Sequence, residues 1–221
     1  MPALTKDGVI WTITMDDGEN RFTPEFLDQM HTHMAEISAN AEPAALLTVG
    51  SGKFYSNGLD LEWLGAHEDK FGWYVDQIHS MFATMVALPV PTIAAVSGHA
   101  FGGGAMLAMC HDFRVMREDR GYFCLPEADI QIPFTEGMNA LLQAKLTPQA
   151  QVAAMTTGAR FGAADALAYG IVDAIAPEAD VVTSAASRVS GLAGKHRPTL
   201  STIKQRLYAS AVAALGTSTE H

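Results

Sequence analysis

An apolar segment, Thr92-Ile93-Ala94-Ala95-Val96, runs through Ser97-Gly98-His99-Ala100-Phe101 into Gly102-Gly103-Gly104 and a second apolar stretch. Read as a strand feeding a helix, this junction suits an anion, because a helix whose first residues lack side chains exposes unpaired N–H groups and its positive dipole end. A turn of the same kind, Phe54-Tyr55-Ser56-Asn57-Gly58-Leu59-Asp60, follows an earlier apolar segment ending at Val49. Turns at the carboxyl ends of parallel strands converge on one edge, so one N–H from each turn can meet its fellow as an oxyanion hole. Each such donor is worth roughly 2.7–4 kcal/mol when aimed at developing charge. The same glycines also serve tight turns and close packing, and the pattern alone leaves both readings open. The G-x-G-x-x-G dinucleotide fingerprint and the Gly-Lys-Ser/Thr of a phosphate loop are both missing.

Other chemistry-bearing residues point nowhere as definite. His31 and His33 fall on one predicted helix and His99 and His111 flank the glycine run, without metal-ligand spacing, so no metal site is expected. Ser97, His111 and Asp112 make a triad on paper, but the neighbouring His111 and Asp112 side chains should diverge. Cys110 and Cys124 lie in apolar surroundings without Cys-x-x-Cys spacing and read as reduced core residues.

The elements that must position these turns are legible from period and punctuation. The alternating segment Val9 to Met15 predicts a strand, and Thr23-Pro24-Glu25 supplies an N-cap, a first-turn proline and an acid for a helix carrying Phe26, Leu27, Met30, Met34 and Ile37. A strand at Ala45 to Val49, a helix from about Gly72 to Ala87, the Thr92 to Val96 strand, and strands at Phe113 to Met116 and Tyr122 to Leu125 follow. Such β-α-β-α-β order implies a largely parallel sheet covered by helices, an α/β fold. Beyond about Thr135 the pattern is helical: Met138 to Lys145, Pro148 to Thr157, Ala163 to Tyr169, Ala179 to Leu192 and Thr199 to Leu215. We read a core over residues 1–175 and a helical segment over 176–221 that belongs to the same domain, covering the pocket or joining subunits.

The 221 residues, 48% hydrophobic and with a formal net charge of −10, suit one sizeable core. The acidic balance and scattered basic residues argue against nucleic-acid or anionic-membrane partners. No apolar run approaches the roughly 18 residues of a membrane span, and the first residues lack a signal-peptide pattern, so a cytoplasmic protein is expected.

The two glycine turns, together with Cys110-His111-Asp112-Phe113-Arg114, Leu125-Pro126-Glu127, and the Thr157-Gly158-Ala159-Arg160-Phe161 to Gly170-Ile171-Val172-Asp173 segment, resemble the crotonase (enoyl-CoA hydratase/isomerase) superfamily. The likeness spans roughly residues 8 to 180. It implies the ClpP-like crotonase fold of stacked ββα units with a C-terminal helical segment, acting on an acyl-CoA with no cofactor beyond the coenzyme A of the substrate. It also implies assembly as a homotrimer or a dimer of trimers. By this resemblance the thioester oxygen accepts from the backbone N–H groups of Asn57 and Gly103, and the anion is an enolate. Tyr55, Ser56, Gly58, Leu59, Gly102, Met106 and Phe134 are then expected around the substrate, and Asp60 is expected to hydrogen-bond locally.

One departure from the family pattern decides the expected reaction. Hydratases of the family carry a glutamate where this chain has Met106, three residues past Gly103 and on the helix face above the oxyanion site. Hydration profits from two carboxylates, whereas moving a double bond from position 3 to position 2 needs one base that returns the same proton. The resemblance offers two candidates for it: Glu127, which is favoured, and Glu136, which sits close to where peroxisomal-type isomerases place theirs. An enoyl-CoA isomerase of fatty-acid β-oxidation is therefore expected. The rivals are a hydratase with a single catalytic glutamate, an acyl-CoA thioester hydrolase and a non-catalytic acyl-CoA-binding subunit.

Overall fold

The structure, a computed structural model, describes residues 1–218. The chain opens with β1 (Ala3–Asp7), β2 (Ile10–Met15), β3 (Arg21–Phe22) and α1 (Pro24–Ala39), then β4 (Ala45–Gly50), β5 (Phe54–Ser56), β6 (Gly58–Leu59), α2 (Leu61–Ala66) and α3 (Phe71–Ala87). The glycine junction comes next as β7 (Thr92–Val96), β8 (His99–Phe101) and α4 (Gly103–Cys110), and then β9 (Phe113–Arg117), β10 (Phe123–Cys124) and α5 (Glu127–Ile130). The remainder comprises α6 (Glu136–Lys145), α7 (Pro148–Met155), β11 (Arg160–Phe161), α8 (Ala163–Ala168), β12 (Ala174–Ala176), α9 (Val181–Ser190), α10 (Arg197–Leu207) and α11 (Ala209–Leu215).

Three turns of a staircase succeed one another: β4-β5, β7-β8 and β9-β10 each place one strand in a large sheet and the next in a small one before a helix. The large sheet runs β1-β2-β4-β7-β9-β12, and the small one β11-β10-β8-β5. All pairings in the large sheet are parallel except β1 on β2. One face of it packs on α1, α3 and α4 through Leu46, Ala94 and Met116; the other, through Leu47, Ile93 and Val115, is covered by Val181, Ala185 and Val189 of α9. Strands buried on both faces read as continuous apolar runs, which is why β4 and β7 stand out in the sequence.

Some expectations need correction. β1 shows no alternation because most of it is exposed, and only its antiparallel ladder with β2 defines it. Glu127, two residues past the predicted Tyr122 to Leu125 strand, opens α5. The predicted Thr199 to Leu215 helix is two, broken at Tyr208 (φ −108, ψ 20). There the phenol accepts from Lys145 Nζ at 3.1 Å while α11 turns onto α6 and α3.

Candidate active site

The two glycine turns interlock. A Cβ on Gly58 (φ +78) would lie 2.6 Å from the Gly103 nitrogen, and one on Gly104 would overlap the Ser56 carbonyl oxygen. No side chain fits between backbones this close, so these glycines bring the turns together as well as bending them. Gly102 (φ +50, ψ −121) swings the chain into α4, all of whose residues are buried. The Gly103 N–H has no acceptor among the described residues, as expected at a helix start.

In front of that N–H lies a cavity of about 250 Å³ lined by Leu59, Leu61, Phe101, Met106, Ile130 and Met138, with Arg21, Asn57 and Glu127 as its polar side chains. Gln131, in the left-handed region at φ 60, ends α5, and the Ile132 N–H returns to the Glu127 carbonyl at 3.1 Å. The return sets Ile132 and Pro133 into the cavity wall.

Glu127 is 8% exposed, and its Oε2 is buried without a hydrogen-bond partner among the described residues. A Cβ on Gly102 would stand 3.3 Å from its Oε1, which places the carboxyl beside the helix start. Burial pushes its pKa up to about 7, against a weaker downward pull from its own backbone N–H. Met106 lines the same cavity and puts a thioether in its wall.

Other expected site residues fall elsewhere. Glu136 is exposed at the start of α6, and it and Phe134 border two neighbouring recesses, one of which Glu127 also lines. Tyr55 is fully buried behind the turn, its hydroxyl 2.7 Å from Thr48 Oγ1. Ser56 is buried too; its Oγ donates to the Asn20 carbonyl at 2.7 Å and accepts from the Gly58 N–H at 3.1 Å. Both support the turn from behind and take no part in the cavity wall. The Asn57 N–H, expected to converge with that of Gly103, instead donates to the Glu19 carbonyl at 2.8 Å. The reason is register: β3 lies parallel to β6, and the residue before β6 extends that ladder toward Glu19. Asp60 does bond locally, capping α2 by accepting from the Trp63 N–H at 3.2 Å. The paper triad is dispersed, with Ser97 on the Gly50 carbonyl, His111 on Thr48 and Asp112 on Lys204. Arg21 was missed, since nothing in its local sequence distinguishes it from a surface cation; only the β3–β6 pairing carries it to the cavity.

A stacked ββα scaffold that buries one lone, proton-ready carboxyl beside an unpaired helix-start N–H defines an enzyme that moves protons next to a stabilised anion. Comparison with known proteins makes this specific. The family model described as enoyl-CoA hydratase/isomerase matches residues 5–220, and the chain belongs to that family, within the crotonase superfamily. It is 32% identical to the peroxisomal enoyl-CoA delta isomerase 2 of Arabidopsis thaliana, over 99% of this chain and 97% of that one. It is 33% identical to enoyl-CoA delta isomerase 3 of the same plant, over 94% and 92%. An apo enoyl-CoA isomerase from Mycobacterium tuberculosis superposes with a TM-score of 0.88 at 26% identity, covering 97% of this chain and 93% of that one.

Proposed function

We propose that this protein is an enoyl-CoA isomerase that moves a double bond from position 3 to position 2 of an acyl-CoA in fatty-acid β-oxidation. One observation carries the reading: Glu127 is the only carboxyl lining the cavity among the described residues, and Met106 lines the wall where a hydratase has its other carboxylate. Ionised Glu127 takes a proton from C2. The electron pair of that C–H bond forms the C1=C2 bond while the carbonyl pair moves onto the thioester oxygen, which accepts from the Gly103 N–H, and the C3=C4 bond stays conjugated with the enolate. The carboxylic acid so formed then returns the proton to C4, leaving the double bond between C2 and C3. A pKa near 7 suits a group that must both take and give this proton. The apolar wall of Leu59, Phe101, Met106 and Met138 suits an acyl chain and offers no second carboxylate to activate water.

Acyl-CoA is then the only small molecule required, with no further cofactor, and the working form is a homotrimer or a dimer of trimers in the cytoplasm. The peroxisomal Arabidopsis relative supplies the alternative compartment, which localising a tagged chain decides. No helix among the described residues is long and apolar enough to cross a membrane. The reaction is tested by giving the purified protein 3-enoyl-CoA and 2-enoyl-CoA separately and following conjugation, 3-hydroxy product and free thiol together. Conjugation of the 3-enoyl substrate is expected. Hydration of the 2-enoyl substrate alone would make it a hydratase, and free thiol a hydrolase.

A further inference from the structure

The strand pairing that withdraws the Asn57 N–H from the cavity brings a second group with it. Glu19 grips Asn57 at two points: its carbonyl accepts from the Asn57 N–H at 2.8 Å, and its Oε2 accepts from Asn57 Nδ2 at 2.9 Å. The same Oε2 accepts from Arg21 Nε at 2.8 Å and pairs with Arg21 Nη2 at 2.8 Å. Arg21 Nη1 lies 3.8 Å from Asp60 Oδ1, on the far side of the Gly58–Leu59 strand. Beneath this tie, Asn20 sits in the left-handed region (φ 52), fully buried, with Nδ2 donating to the Phe54 and Tyr55 carbonyls at 3.1 Å each. Asn20 fixes where β5 ends; Glu19 fixes the turn beyond it.

We propose that Glu19 is a positioning residue for the active site: through Asn57 it holds the Gly58–Leu59 turn against Gly103, and through Arg21 it holds a guanidinium in the cavity wall. Resting on the isomerase reading for its kinetic consequence, this gives Asn57 a purpose that its N–H alone does not have. Gly58 has no space to spare against Gly103. A turn displaced by a fraction of an ångström therefore moves Leu59, Gly103 and the oxyanion position together, and misplacement of about 1 Å can cost about a hundredfold in rate. The Glu19 side chain is 42% exposed, so it is replaced without opening the core. Arg21, then Asn57, hold the Glu19 carboxyl below its ordinary range, so it stays ionised at neutral pH.

The test compares Glu19→Ala, Glu19→Gln, Asn57→Ala and the Glu19→Ala/Asn57→Ala pair on three readouts: steady-state isomerisation of 3-enoyl-CoA, melting temperature, and amide hydrogen exchange at Asn57 and Gly58. Glu19→Ala should lower kcat by roughly ten- to a hundredfold, with KM changed less than about threefold and melting within a few degrees of the parent. The double variant should be no slower than the worse single one, because both break one tie. Glu19→Gln keeps an acceptor for Asn57 Nδ2 and should recover most of the rate. Exchange at Asn57 should quicken by about tenfold in Glu19→Ala. Unchanged exchange, multiplying losses in the double variant, or lowered melting with kcat intact would each overturn the proposal. A parent protein that leaves 3-enoyl-CoA untouched would instead overturn the isomerase reading, and exchange would still decide whether the tie holds the turn.

Discussion

The two ends of α4 abut buried ionisable groups that differ in their company rather than in their burial. At its start, Glu127 is 8% exposed with an unpartnered oxygen. Past its other end, Arg114 spends its guanidinium on the Ile171 and His111 carbonyls and on Asp173, and Lys204 lies 2.6 Å from Asp112 while donating to the Val90 carbonyl at 2.8 Å. His111, held between Thr48 and the Leu107 carbonyl, is driven down to about 3 by burial and stays neutral. A buried charge given partners acts as a brace; a buried carboxyl with one oxygen unpartnered and only its own N–H against it holds its proton up to near neutrality. One helix thus separates a cluster of paired charges from a carboxyl with an unpartnered oxygen.

The sharpest way to test that contrast is to remove the carboxyl whose Oε2 lacks a partner. Glu127→Gln keeps the shape and deletes the base, so isomerisation should fall by about 10²–10⁴ while the protein stays as well folded as its parent. Turnover of 3-enoyl-CoA checks the first part and circular dichroism the second. Near-parental activity would move the chemistry to another group, Glu136 being the other candidate carboxylate.

The opposite substitution should do the opposite. Lys204→Met leaves the Asp112 carboxylate with only the Thr92 N–H and hydroxyl and releases α10 from the Val90 carbonyl, so unfolding should become easier by about 1.5–3 kcal/mol, read by denaturant titration. The folded fraction should keep its kcat within about twofold, since nothing in this brace reaches the cavity. A large kcat loss at unchanged stability would show that the two ends of α4 are coupled.

How much of each end the sequence discloses obeys the same division. The cavity end is local: Gly102 to Gly104, Met106 and Pro126-Glu127 lie within a few residues of a strand end, and their types state their use. Even there, Arg21, Glu19 and the direction of the Asn57 N–H stayed hidden, because the β3–β6 register that sets them joins segments some 37 residues apart through two short strands with no alternation to read. The brace is almost wholly non-local. Lys204 meets Val90 across 114 positions and Arg114 meets Asp173 across 59, so each looks like a surface charge until the chain is folded. Tyr208, where the last helix breaks, likewise meets its partner far off, at Lys145.

The smallest expected effect shows what burying Glu127 with an unpartnered oxygen costs. Its pKa rises from the ordinary 4.5 to about 7 because burial disfavours the charged form. The folded state therefore keeps a proton that the unfolded chain gives up between those two values. The stabilising contribution is complete below about pH 4.5 and is lost as pH rises through about 7, a penalty on the order of 3 kcal/mol at most once the buried carboxylate is charged. Proton abstraction needs that charged form, so kcat/KM should climb through the same range while stability declines. Glu127→Gln cannot ionise and should escape the decline: going from pH 5 to pH 8, the parent should lose stability relative to the variant, as denaturant titrations at the two pH values would show. Parallel pH–stability curves for the two proteins would mean that the carboxyl is hydrated as it is in water, and the contrast between the ends of α4 would collapse to a difference in partners alone.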